Sequence, residues 1–326
     1  MMAESVKLNL SFDTSKPEAT RDGFGKGLVI EGKKNKDIIA LDGDLANSTR
    51  SEWFGQEFPD RFFNVGIAEQ NLVGMAAGLA LAGKIPFACS FAGFLVNRGH
   101  DIIRISVAYS NANVKLIGTH GGIQIGEDGP SNQSMSDIAS LRALPRMVIV
   151  NPCDALEAAK AVEAFVKTKG PMYMRLTRNK LPYFHKEDYK FQLGKADIIK
   201  EGKDATILAT GALVAEAMKA AKELENEGIS TRVINIHTIK PLDAEAVLQA
   251  ARSTKVMITA EDHNVIGGLG GGVAEVIAQQ QISIPFRIIG VKDSFAESAT
   301  PDQLFEKYGL SYPHLVTAVK DLMKRK

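Results

Sequence analysis

Short uninterrupted apolar runs recur along this chain, each followed by a longer amphipathic stretch, and that rhythm is what most restricts the fold. KDIIALDGD, IPFACSF, VKLIG, MVIVN and MYMRL lack the polar–apolar alternation of a strand with one wet face. They read as strands buried on both faces, the first ending near Asp42. Between them, residues 70–82, 101–109 and 155–167 carry helical periodicity. Strands that alternate with helices are joined by crossovers, which makes neighbouring strands parallel and puts helices on both faces of the sheet. The expected fold class is α/β, with doubly wound, mainly parallel sheets.

The rhythm lapses once, between Lys180 and Gly194, where LPYFHKEDYKFQLG is polar, aromatic and weakly periodic. It reads as a linker. The alternation restarts at DATILAT. A helix then places Val214, Ala217, Met218, Ala221 and Leu224 on one face and stops at Gly228. STRVINI, KVMITA and IPFRIIG read as further strands. A helix beginning after Pro241 and Asp243 separates the first two, and a last helix starts near His314. Two α/β domains are expected, residues 1–188 and 189–326.

Composition excludes several roles. With 39 basic and 38 acidic residues the net charge is +1, so there is no basic field for nucleic acid or a membrane surface. A local basic pocket for a phosphorylated substrate stays compatible with that balance. No window approaches the roughly 18 apolar residues of a membrane span. MMAESVKLNLSFD lacks the apolar run of a signal peptide. Cys89 and Cys153 are far apart, lie in apolar segments and show no metal-ligand spacing. They read as buried thiols in a reducing cytoplasm. The Lys-Arg-Lys end reads as a solvated terminus.

Five segments carry candidate chemistry, each with a plainer structural reading beside it. Glu69, in VGIAEQN, sits where a loop enters a helix; it is either an electrostatic cap or a partly buried acid for proton exchange with a heteroaromatic base. Phe91 and Phe94, in SFAGF, follow a strand end, where open α/β sheets place ligands; they either stack on a flat ring or pack in the core. The loop GTHGGIQIGEDGPSN holds five glycines, His120, Glu127 and Asp128, and its length and polarity favour a site over a simple connection. Arg21, Ser48 and Arg178 are singly solvated or turn residues, and together a clamp for a phosphate. GGLGGG, residues 267–272, misses the GxGxxG spacing and reads as a close-packed helix start.

Taken in order, EATRDGFGKGL, LDGDLANS, FFNVGIAEQNLVGMAAGLA, SFAGF with RGHDIIR, THGGIQIGEDGP and RLTRNKLP resemble the motif series of transketolases. The resemblance spans nearly the whole chain. It implies the family's pyrimidine-binding domain followed by its C-terminal domain. It further implies transfer of a two-carbon ketol unit from a ketose phosphate to an aldose phosphate, as in the pentose phosphate pathway, with thiamine diphosphate as cofactor. Glu69 then corresponds to the glutamate that hydrogen-bonds the cofactor's aminopyrimidine. Phe91 and Phe94 correspond to the wall around that ring, and Asp44 to an acid near the same subunit interface. His120, Asp128 and Asn132 fall where sugar hydroxyls are bound, with His120 also placed to assist proton transfer. Arg21, Ser48 and Arg178 correspond to the distal phosphate clamp.

The chain departs from the family pattern in three places. Asn132 stands where many relatives carry histidine; it keeps hydrogen bonding but cannot hold a proton. His100 stands where an aromatic is common. Most important, no Gly-Asp-Gly occurs, the only Gly-Asp being Gly43-Asp44 before Leu45. That motif supplies oxygen ligands to the Mg2+ or Ca2+ that bridges the diphosphate. The resemblance therefore implies that diphosphate and metal are held by a separate N-terminal-section chain, with two copies of each chain assembled and no metal ligand here. Two other readings stay open: the beta chain of a 2-oxo acid dehydrogenase, and a non-catalytic regulatory subunit that keeps the fold.

Overall fold

The computed structural model describes residues 10–324. Most of the N-terminal segment read above for a leader lies outside them, as do two of the three residues of the Lys-Arg-Lys end. The strands, in chain order, are β1 (Glu18–Ala19), β2 (Ile38–Asp42), β3 (Phe62–Asn64), β4 (Ile85–Phe91), β5 (Lys115–Thr119), β6 (Val148–Val150), β7 (Met172–Arg175), β8 (Lys180–Leu181), β9 (Asp197–Lys200), β10 (Ala205–Ala209), β11 (Thr231–Asn235), β12 (Thr238–Lys240), β13 (Val256–Asn264) and β14 (Phe286–Val291).

They form two large sheets, ordered β12-β6-β7-β5-β4-β2-β3 and β14-β13-β10-β11-β9. Pairing within each is parallel except at one edge, where β12 and β9 run antiparallel to their neighbours. The doubly wound α/β expectation holds. The central strands β2, β5, β7 and β10 are buried at every position, as their uninterrupted apolar runs require. Register aligns Asp42 with Cys89 and Phe91 with Thr119, so the carboxyl ends of β2, β4 and β5 meet along one edge of the first sheet.

One helix pair positions that edge. Helix Thr20–Lys34 lies against helix Ala155–Lys167 so closely that a Cβ on Gly23 would sit 1.9 Å from the Ala155 carbonyl oxygen, and one on Gly27 would sit 2.9 Å from Ala159 Cα. Glycines four apart on one helix face permit this contact. Asp154 caps the second helix by accepting from the Glu157 N–H at 2.8 Å.

The structure corrects the sequence reading in three places. The helix expected over 101–109 begins at Ala92, and its final turns, Ile103–Tyr109, are π-helical, the Ala112 N–H reaching the Val107 carbonyl at 2.9 Å. The glycines of SFAGF and RGHD disguised its first turns as loop. The linker is partly ordered into the first half, since β8 pairs with β1. Finally, β12 leaves the second half of the chain and pairs with β6 of the first sheet, Thr238 opposite Val150. Three residues carry too little pattern to announce a strand. Among the described residues no helix is long and apolar enough to cross a membrane.

Candidate active site

The carboxyl edge of the first sheet gathers the residues singled out by sequence. Glu69 opens helix Glu69–Leu81 and is 5% exposed. Its Oε1 accepts from Arg98 Nη1 at 2.7 Å. Arg98 in turn covers the Phe94 ring, its guanidinium carbon 4.1 Å from the centroid. Phe94 stacks on Phe91 at 5.5 Å between centroids, and Phe91 meets His120 at 3.9 Å. An acid, two phenylalanines and a histidine thus form one continuous wall.

The polar half follows directly. His120 directly follows β5 in the left-handed conformation, φ 59°, and is 3% exposed. Its Nδ1 lies 2.8 Å from Thr119 Oγ1 and its Nε2 3.2 Å from Arg21 Nη1. Arg21 Nη1 also donates to the Ser48 carbonyl at 2.8 Å. The turn carrying Ser48 is folded by Asp42, whose carboxylate accepts from the Thr49 and Ser51 hydroxyls and the Leu45 N–H. Ser48 therefore contributes its backbone to Arg21. Thr20 and Thr177 bond to each other, the Thr177 N–H reaching Thr20 Oγ1 at 2.7 Å, which brings Arg21 and Arg178 side by side.

Charge in this corner is unbalanced. Burial and the neighbouring Arg50 lower the Arg21 guanidinium to about 10, and Arg21 Nε is buried without a partner. Burial, then Arg21, Arg178 and Arg50, push His120 down to about 3. His120 is thus a neutral imidazole near pH 7. Arg178 pairs with Asp128 at 3.2 Å, and Asn132 Nδ2 donates to the Asp128 carbonyl at 3.0 Å. Asp44 is exposed, in the left-handed region at φ 67°, and accepts from Asn64 Nδ2 at 2.9 Å on the rim of β2 and β3.

Sequence reasoning missed three participants. Arg98 is four residues beyond Phe94 on one helix, and reading that helix from Ala92 would have placed the two together. Arg50 has no local signal that sets it apart from a solvated charge. It packs beside Arg21 while donating to Asp22 Oδ1 at 2.6 Å. Asp262 lies on β13 of the other sheet and accepts from the Ile123 and Gln124 N–H groups at 2.9 and 3.3 Å, pinning the loop behind His120. No local signal marks it. GGLGGG behaves as a close-packed helix start, with the Leu269 and Gly270 N–H groups donating to Glu261.

The side chains that group with metal-ligating spacing, Cys153, Glu157, His185, Asp197 and His237, lie at the junction of the two sheets rather than beside this wall. Among the described residues the edge therefore offers a flat ring a stacking wall and a buried acid, and offers an anion three guanidiniums.

The chain matches the transketolase pyrimidine binding domain over residues 16–183 and the transketolase C-terminal domain over residues 194–315. A protein of Methanocaldococcus jannaschii named as a transketolase C-terminal section is 43% identical over 94% of this chain and 96% of its own length. The 6-deoxy-6-sulfo-D-fructose transketolase subunit SqwH of a Clostridium species is 42% identical over 94% of this chain and 95% of its own. A solved structure described as a split gene transketolase, an inactive beta4 tetramer, superposes with a TM-score of 0.86 at 44% identity, over 95% of this chain and 99% of that one. Both halves of the chain, and nearly the full length of these relatives, agree: the chain belongs to the transketolase family.

Proposed function

We propose that this chain is the C-terminal-section subunit of a transketolase, moving a two-carbon ketol unit from a ketose phosphate to an aldose phosphate in the cytoplasm once joined to an N-terminal-section chain, two copies of each. The observation that carries the reading is the continuous wall from Glu69 through Phe94 and Phe91 to His120, ending at an arginine cluster. The relatives matched nearly end to end support a chain of this extent working as a subunit. The sequence lacks Gly-Asp-Gly, and the groups with metal-ligating spacing lie elsewhere. The wall fits the pyrimidine end of thiamine diphosphate, and we assign the diphosphate and its Mg2+ or Ca2+ to the partner chain.

When bound, thiamine diphosphate supplies a thiazolium electron sink for breaking and making the carbon–carbon bond. The residues of this chain then divide the remaining tasks. Glu69 presents its carboxylate to a ring nitrogen of the aminopyrimidine, and Arg98 keeps that carboxylate in place. Phe91 and Phe94 orient the ring and exclude water. Asp44 closes the rim toward the partner. Arg21 and Arg178 bind the substrate phosphate through charge-assisted hydrogen bonds, with the Ser48 turn fixing Arg21. Asp128 and Asn132 bind sugar hydroxyls. His120, kept neutral first by its burial and then by the guanidiniums of Arg21, Arg178 and Arg50, presents an unprotonated imidazole to the substrate. It then accepts or returns a hydroxyl proton. Residues 1–188 carry these groups and residues 189–326 brace them.

The test is reconstitution. The chain alone should give no ketol transfer, and mixing it with a companion chain bearing Gly-Asp-Gly, thiamine diphosphate and Mg2+ should restore transfer. Full activity of the isolated chain would overturn the assignment.

A further inference from the structure

Away from that wall, where the linker passes between the two sheets, four cation-binding side chains converge from four different segments. Glu157 comes from the first turn of helix Ala155–Lys167, His185 from the linker, Asp197 from β9, and His237 from the turn between β11 and β12. Glu157 and His237 are fully buried, and His185 is 8% exposed.

Each imidazole is gripped through Nδ1. His185 Nδ1 lies 2.8 Å from Asp154 Oδ2, and His237 Nδ1 lies 2.8 Å from Thr238 Oγ1. In each ring the other nitrogen, Nε2, is buried and has no hydrogen-bond partner. Both of these Nε2 atoms stand 3.5 Å from the same oxygen, Asp197 Oδ2. Ligand atoms of Glu157, Asp197 and His237 all lie within 4.8 Å of one another, and those of Glu157, His185 and Cys153 do likewise.

A tetrahedral cation would have to draw together two triads that share Glu157, one with Asp197 and His237 and one with Cys153 and His185, through the Asp197 oxygen that both imidazoles face. Ligands about 2.1 Å from zinc stand about 3.4 Å from each other. A metal-bound imidazole is oriented by a hydrogen bond at its other nitrogen, which Asp154 and Thr238 provide. Glu157 Oε1 is held by Tyr189 Oη at 3.1 Å and Asn235 Nδ2 at 2.9 Å, and the same tyrosine hydroxyl reaches Asp197 Oδ2 at 2.6 Å, bridging the two carboxylates. Three carboxylates, those of Asp154, Glu157 and Asp197, face only two imidazoles, which favours an added positive charge. Nitrogen donors beside carboxylates select a borderline cation over Mg2+ or Ca2+.

We propose that Glu157, His185, Asp197 and His237 form a structural site for a borderline divalent cation of the zinc class, which ties the linker and the second sheet to the helix that supports Arg21. Four protein ligands leave no open position, so the ion braces and does not react. The site is independent of the ketol-transfer reading and of any metal on the diphosphate.

The experiment strips the full chain with a chelator and titrates it with Co2+, then Zn2+. One Co2+ per chain should bind with the intense visible bands of a four-coordinate ion, and Zn2+ should displace it stoichiometrically. Zn2+ should also raise the thermal midpoint. In His237→Gln the Co2+ affinity should fall more than about tenfold. If that variant does not fold, Asp197→Asn, at a partly exposed edge, should show the same fall. A wild-type chain without the cobalt spectrum, or folded variants that bind as tightly as wild type, would overturn the site and leave a network held by protons alone.

Discussion

Asp262 Oδ1 accepts a hydrogen bond from the Ile123 N–H at 2.9 Å, joining strand β13 of the second sheet to the histidine loop of the first across 139 residues of chain. The same carboxylate takes the Gln124 N–H through Oδ2. Gly122 makes room for it, since a Cβ there would sit 2.0 Å from Asp262 Oδ2. The second domain therefore sets the position of a loop whose residues belong to the candidate site.

Asp262→Ala should leave two buried N–H groups unpaired, at a cost of about 2–4 kcal/mol. Urea unfolding should show the loss. Hydrogen exchange should show the amides of Ile123 and Gln124 opening faster while β2 and β4 keep their protection. Unchanged exchange at those two amides would remove Asp262 from this role.

Glu69→Gln, in the reconstituted complex, should lower kcat by about a hundredfold or more, the scale of a positioned proton-transfer group. Arg98→Ala should cost less, because Arg98 is half exposed and touches the ring wall from outside. Near wild-type turnover of Glu69→Gln would refute the assignment of Glu69.

Arg178→Ala should raise KM for phosphorylated sugars by about tenfold to a hundredfold, the worth of a charge-assisted hydrogen bond. Its kcat should move far less. Steady-state kinetics with a phosphorylated sugar and its unphosphorylated counterpart provide the check: the variant's defect should vanish with the latter.

His120 predicts a pH effect with a definite sign. Its folded pKa is pushed down from 6.5 to about 3. The unfolded chain therefore takes up a proton, as pH falls below 6.5, that the folded chain refuses. Stability tied to His120 is complete above pH 6.5 and drains away as pH falls toward 3. His120→Gln should flatten that part of the stability curve. Denaturant unfolding at a series of pH values measures the slope, and an imidazole resonance of His120 that titrated near 6.5 in the isolated chain would contradict the burial argument.

How much of this was legible beforehand follows from the range of the forces involved. The strands buried on both faces, the helices between them and the identity of the wall residues are written locally, in apolar runs, in the order of motifs and in glycines such as Gly23 and Gly27. Glu69, Phe91, Phe94, His120, Arg21 and Arg178 could be singled out for that reason. Arg98 escaped only because glycines hid the first turns of its helix. Other features have no local trace. The grip of Asp262 on Ile123, the passage of β12 into the first sheet and the meeting of His185 with Asp197 and His237 each join segments distant in sequence. Cys153 read as a plain buried thiol because metal-ligand spacing along the chain was absent, yet folding brings it beside Glu157 and His185. The sequence by itself determined which elements form and which side chains are available. Only the tertiary structure decided which side chains share a desolvated space, and desolvation gives His120 its neutrality and leaves Nε2 of His185 and of His237 buried without a hydrogen-bond partner.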